Sequence, residues 1–155
     1  MTTPRVAVIY SSPAEHDAMA QAGALLTRFG VPYDESCLSP HRSPQTLAAW
    51  MADLEGRGIE VVIAGSSGSA ALAGIIAAHV ALPVIGVPLA GGAIHGSDAL
   101  YGLTQLPSGV PVAAVGIDNS LNAAVLAVQV LAVGDPALRQ AIWQFKDDFE
   151  KAARL

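Results

Sequence analysis

The stretch VVIAGSSGSAALAGIIAAHVALPVIGVP, residues 61–88, decides the fold. Val61–Ala64 is a short apolar run, Gly65–Ser69 a glycine-serine loop, Ala70–His79 a longer run of small and branched residues, and Val84–Val87 a second apolar run between two prolines. The first and last segments read as strands and the middle one as a helix, on length, β-branching and the glycine and proline boundaries. Strands apolar on both faces are buried on both faces. Joined through a helix, they form a parallel βαβ unit with helices covering the sheet on either side.

The alternation extends outward in both directions. Val6–Tyr10 reads as a strand ending at Ser11-Ser12-Pro13, after which Met19, Ala22, Leu26 and Phe29 recur at helical spacing up to Gly30. Pro32–Leu38 reads as a more polar strand and Ser39–Pro44 as a loop; Leu47, Trp50, Met51 and Leu54 form one face of a helix closed by Gly56 and Gly58. Beyond Val87, the segment Leu89–Gly109 shows no sustained period, although Asp98–Leu103 allows one or two helical turns. A connection this long favours a functional loop. Val110–Ile117 predicts a fifth strand, and Ser120–Val133 a helix apolar nearly all round, which must be largely buried. Gly134-Asp135-Pro136 supplies a helix stop, an N-cap and a first-turn proline, opening a last helix through Trp143, Phe145 and Phe149. The expected fold is α/β: a three-layer, doubly wound parallel sheet, flavodoxin-like or Rossmann-like, in a single domain over residues 1–155.

Composition narrows the function. The 155 residues are 52% hydrophobic and 14% charged, with a mean hydropathy of +0.46; this excludes a disordered chain and places apolar surface between subunits. A net charge of −5 with only 8 Lys and Arg argues against nucleic acid and against a polybasic membrane contact. Small molecules are left as ligands. The lone Cys37 cannot form an intrachain disulfide or a multi-thiolate metal site, and within a strand it reads as an inert core thiol. No metal-ligand spacing is visible, so no metal is expected. Every apolar stretch is interrupted before the roughly 20 residues a spanning helix needs, and the N-terminus lacks the layout of a secretory signal. A cytoplasmic protein is expected.

Ligands of such sheets bind beyond the carboxyl ends of the strands, which directs attention to Ser11–Glu15, Ser39–Pro44, Gly65–Ala71, Leu89–Gly96 and Gly116–Asn119. Ser39-Pro40-His41-Arg42-Ser43-Pro44 combines hydroxyls, an imidazole and a guanidinium ahead of a helix N-terminus. These are the parts of an anion site with a proton carrier beside it. The same residues also fit a surface loop capped by Ser43. Gly65-Ser66-Ser67-Gly68-Ser69 can bring backbone N–H groups to a ligand, but it matches no nucleotide-binding fingerprint and no lysine follows it. Ser11-Ser12-Pro13-Ala14-Glu15 either presents hydroxyls and a carboxylate to a phosphoribosyl group or caps the first helix. Among the other histidines, His79 reads as a C-terminal cap or packed residue and His16 as exposed, while His95, in the long loop, is more open to a functional role. No nucleophile elbow supports a hydrolase.

From about Val6 to Ile142 the chain resembles the PurE family, the class I carboxyaminoimidazole ribonucleotide mutases of purine biosynthesis. The resemblance is carried by Ser39-Pro40-His41-Arg42-Ser43-Pro44, similar to the family's Ser-Ala-His-Arg-Thr-Pro, and by Val62-Ile63-Ala64-Gly65. It continues through Pro83-Val84-Ile85-Gly86-Val87-Pro88, Gly96-Ser97-Asp98-Ala99-Leu100-Tyr101, Gln105–Val112 and Asn122-Ala123-Ala124. It implies a homo-octamer with no metal or organic cofactor, its sites where subunits meet, acting on a small-molecule ribonucleotide. It further implies that a carboxylate moves from an exocyclic amine to a ring carbon through carbon dioxide held in the pocket. Carried over, His41 is the general acid-base, and Arg42 with Ser39 binds phosphate. Ser12, Glu15, Pro40 and Ser66 are further substrate contacts, and Gly65 and Gly68 form a wall beside the imidazole.

Three segments depart from the pattern. The family's Gly-Ser-x-Ser-Asp is here Ser11-Ser12-Pro13-Ala14-Glu15. Its Gly-Ala-Gly-Gly-Ala-Ala-His-Leu-Pro-Gly is Gly65-Ser66-Ser67-Gly68-Ser69-Ala70-Ala71-Leu72-Ala73-Gly74, which puts Ala71 where the second family histidine stands. The Met-Pro-Arg-Gly of some members is Leu106-Pro107-Ser108-Gly109. Beside the mutase, these changes leave open a paralogue acting on another heteroaromatic ribotide, or one that binds without turnover, and they raise His95 as a source of the missing imidazole.

Overall fold

A computed structural model describes residues 3–152. Its elements run β1 (Val6–Tyr10), a 3-10 turn (Pro13–Glu15), α1 (His16–Arg28), β2 (Tyr33–Cys37), α2 (Pro44–Asp53), β3 (Val61–Ser66), α3 (Ala71–His79), β4 (Val84–Pro88), α4 (Ser97–Thr104), β5 (Ala113–Ala114), α5 (Ser120–Leu131) and α6 (Pro136–Ala152). The five strands form one parallel sheet in the order β2-β1-β3-β4-β5, the doubly wound arrangement expected from residues 61–88.

Strand alternation builds two cores. Val6, Val8 and Tyr10 of β1, with Val61 and Ile63 of β3, pack beneath α1 and α5. Ala7 and Ile9, with Val62 and Ala64, turn to the other face beneath α2, α3 and α4. Each large side chain fully withdrawn from water contributes roughly 1.5–3 kcal/mol, and β1, β3 and β4 are buried along their whole length. The centre of the sheet is therefore a rigid platform for the loops at its carboxyl end.

The strands differ from expectation at three places. β3 extends two residues beyond Ala64, because Gly65 still pairs with Tyr10 and Val87, and Ser66 with Pro88. The strand predicted over Val110–Ile117 shrinks to Ala113–Ala114, since Pro111 has no N–H to give and the sheet ends there. The chain nevertheless follows β4: Val115 N–H donates to Gly86 at 3.1 Å and Asp118 N–H to Pro88 at 2.9 Å. Cys37 is not a core thiol. It is exposed at the end of β2, an edge strand flanked only by β1. Local burial of its sulfur, then the charge of Glu15, push the thiol up from its ordinary value despite the opposing Arg42, so protonation keeps it a poor nucleophile.

α5 ends at Leu131 and buries Ala123, Ala124, Ala127, Val128 and Leu131 in the first core, while Leu121, Val125, Leu126 and Val130 are half-buried. The predicted cap of α6 is present: Asp135 Oδ1 accepts from the N–H groups of Ala137 (3.1 Å) and Leu138 (3.2 Å), and Oδ2 accepts from Arg5 (3.1 Å). The Leu138 N–H first, and then the Arg5 guanidinium, hold this carboxyl below its usual value. Its stabilising contribution is therefore complete above pH about 4 and is lost as acid protonates the group. Asp135→Ala should lower the Tm at pH 7, with the difference from wild type shrinking towards pH 3; a constant difference across that range would remove the ionised cap from the account.

Candidate active site

At the carboxyl ends of β1, β2 and β3, three loops enclose a polar cavity of about 300 Å³, the lower end of the ligand-pocket range. A larger hollow of about 490 Å³ lies at the opposite, amino end of the strands, between Pro4 and Asp34. There Asp34 is already paired with Arg57, and among the described residues no set of polar groups converges on it.

The second loop is locked by its serines. Ser39 N–H donates to Ser43 Oγ (3.2 Å), Ser43 Oγ donates to the Ser39 carbonyl (3.0 Å), and Arg42 N–H donates to Ser39 Oγ (3.2 Å). Pro44 then starts α2 at a position where no N–H is needed. This closed turn holds His41 and Arg42 at the cavity rim, both exposed. Arg42 Nη2 donates to the Ser11 carbonyl at 2.9 Å, tying the rim to the first loop. α2 and α3 both point uncapped N-termini this way: neither has a side chain bonded to its first-turn N–H groups, which favours an anion.

Glu15 is the hub of the opposite wall. It is 7% exposed; Oε2 accepts from Ser11 N–H (2.9 Å) and Oγ (2.8 Å), and Oε1 from Ser67 N–H and Oγ (both 2.8 Å). One carboxylate thereby staples the loop after β1 to the loop after β3. Ser66, at the end of β3, forms part of the floor; its Oγ is buried and has no hydrogen-bond partner among the described residues.

Of the residues singled out in the sequence, His41, Arg42, Ser39, Pro40, Ser12, Glu15 and Ser66 line the cavity together. Gly65 and Gly68 do not. A Cβ on Gly65 would overlap the Met19 sulfur, and Gly68 holds a left-handed backbone at φ +64°, so both shape the loop from behind. Ser11, Ser67, Ser69 and Leu72 join the wall without having been singled out by name as ligand contacts. The clustering of hydroxyls in these two loops is the sequence signal they carry. Ala71 lies on the wall where the resemblance would place an imidazole. His95 is exposed, with φ +51°, and is not part of this wall. His79 is exposed in the last turn of α3, its Nδ1 2.7 Å from the Ile75 carbonyl. His16 sits beside Asp17, whose hydrogen bond raises its pKa.

The family model described as AIR carboxylase matches residues 5–152. The chain belongs to the AIR carboxylase (PurE) family. A Pyrococcus horikoshii protein named N5-carboxyaminoimidazole ribonucleotide mutase is 43% identical over 98% of this chain and 89% of its own length. A Thermotoga maritima protein of the same name is 40% identical over 98% of this chain and 92% of its own. The crystal structure of Treponema denticola PurE superposes with a TM-score of 0.88 at 22% identity, covering 97% of this chain and 94% of that one; it bears on the fold. Within the PurE framework, the changed segments Ser11–Glu15 and Ser66–Ala71 both reach the cavity wall.

Proposed function

We propose that this chain is a carboxyaminoimidazole ribonucleotide mutase, an isomerase that moves a carboxylate from the exocyclic amine of the imidazole ribotide to a ring carbon. The observation that carries the reading is the serine-locked turn that holds His41 and Arg42 together at the mouth of a polar cavity. As the N–C bond of the carbamate breaks, His41 gives a proton to the amine nitrogen and carbon dioxide is set free. The ring carbon then attacks that carbon dioxide, the new C–C bond forms, and the imidazole takes the proton from the same ring carbon. Protons balance over the cycle, so a single proton carrier suffices. Arg42 and Ser39 receive the phosphate, and the uncapped α2 N-terminus adds to the field.

The proposed assembly is a cytoplasmic homo-octamer. His41 lies open at the rim of one chain, whereas carbon dioxide needs a dry enclosure, and Trp143, Phe149, Val133 and Ile117 leave apolar surface exposed for other subunits to cover. Among the described residues no helix is long and apolar enough to cross a membrane.

The test follows the two carboxylated ribotides by ultraviolet absorbance, with light scattering on the same preparation. Interconversion by a particle of octamer mass is expected. A folded protein that leaves both ribotides unchanged, where a related mutase turns them over, would overturn the assignment.

A further inference from the structure

Six serines line the cavity wall, and what their hydroxyls meet within the chain differs in an informative way: Ser12 Oγ accepts from Ala14 N–H, and Ser69 is exposed. Ser11 and Ser67 donate to Glu15, Ser39 Oγ accepts from Arg42 N–H, and Ser66 Oγ has no partner among the described residues although Ser66 is only 3% exposed. Buried hydroxyls in native proteins are almost always hydrogen-bonded, and an orphaned one is unfavourable enough to require a reason. Ser66 lines the cavity with its hydroxyl withdrawn just behind the surface, beside the uncapped first turn of α3, whose Ala71 and Leu72 share the wall, so a turn of its side chain brings the donor to a ligand there. A donor at such a helix end, with unbonded N–H groups around it, is complementary to an oxyanion.

Resting on the mutase reading, we infer that Ser66 Oγ is a specificity-determining donor to the carboxylate of the substrate. The charges of the ligand favour this placement over the phosphate. A phosphate dianion is costly to bury, and the exposed Arg42 guanidinium offers it a wet, cationic rim. A singly charged carboxylate is the smaller group to desolvate, and neutral donors at the floor meet its oxygens. Register fixes the position: Ser66 is the last residue of β3, paired with Pro88, so its side chain stands on the buried platform and not on a mobile loop.

The experiment is isothermal titration of wild type and Ser66→Ala with three ligands: the ring-carboxylated ribotide, the same aminoimidazole ribotide without its carboxylate, and ribose 5-phosphate. Ser66→Ala should weaken the carboxylated ribotide about ten- to a hundred-fold, the range for a hydrogen bond to a charged group, and shift the other two less than about twofold on the same principle. Because the hydroxyl is unpaired in the free protein, the variant's Tm should be equal to or above that of wild type. Equal losses for all three ligands would put the hydroxyl on the ribose phosphate and overturn the carboxylate assignment. Unchanged affinities would overturn it in favour of a hydroxyl met by water. If wild type binds neither ribotide, the mutase reading falls and this inference with it; if wild type binds both and the variant matches it, this inference alone falls.

Discussion

His41→Asn should lower the interconversion rate by roughly a hundred- to ten-thousand-fold, the usual range for removal of a positioned acid-base, while the ribotide still binds. Asparagine is close to imidazole in size and polar, so the turn closed by Ser39 and Ser43 should keep its shape. His41 itself makes no hydrogen bond that the turn depends on; the contacts that close the loop come from Ser39, Ser43 and the Arg42 N–H. Rate and affinity should therefore separate. Parallel measurement of turnover and of the dissociation constant tests this, and a variant that loses both together would make His41 a binding or structural residue instead.

The second large effect is expected at Glu15, on stability as well as activity. Glu15→Ala withdraws the acceptor from two backbone N–H groups and two hydroxyls at once. Each orphaned buried donor costs roughly 1–3 kcal/mol. Water entering from the cavity replaces part of the loss, leaving an expected deficit of about 2–3 kcal/mol, or a fall in Tm of roughly 5–10 °C for a chain of this size. The loops after β1 and β3 should then separate, and the KM for the ribotide should rise with the fall in stability. Glu15→Gln should recover part of both, since its amide oxygen accepts from one serine pair while its NH2 group cannot accept from the other. An alanine variant with wild-type Tm and KM would show that the four hydrogen bonds hold nothing the cavity needs.

Much of this was legible in the sequence because the strongest signals coincide with the deepest burial. β1, β3 and β4 are continuous apolar runs, and all three are the central strands. The Ser39–Pro44 loop was legible as chemistry because histidine and arginine stand together between two prolines. Strand ends were harder to read. Gly65 and Ser66 look like loop residues, yet Gly65 has neighbours on both sides and Ser66 has Pro88 on one, which keeps them in the ladder; Val110–Val112 look like strand residues, yet Pro111 and a missing outer neighbour keep them out of it. Glu15 could be read as a ligand contact or a cap, because its partner Ser67 lies 52 residues away and no local pattern joins them. Cys37 misled for a related reason: strand membership implies burial only for strands inside the sheet, and β2 is an edge.

Every residue on the cavity wall falls between Ser11 and Leu72. The chain is thus divided in its labour, with the walls drawn from the first half and the second half, from β4 onward, bracing them from outside. The division has a consequence for the order in which a new chain acquires its pocket. β3 has β1 on one side as soon as it is made, but Ser66 lies one residue past that pairing and finds its strand neighbour only when Pro88 arrives, so the walls are synthesised first and become a site only when the later half closes against them. It also has a consequence for variation: within one chain, changes after Leu72 reach the cavity only by moving something else, whereas changes among the wall residues before it alter the cavity directly.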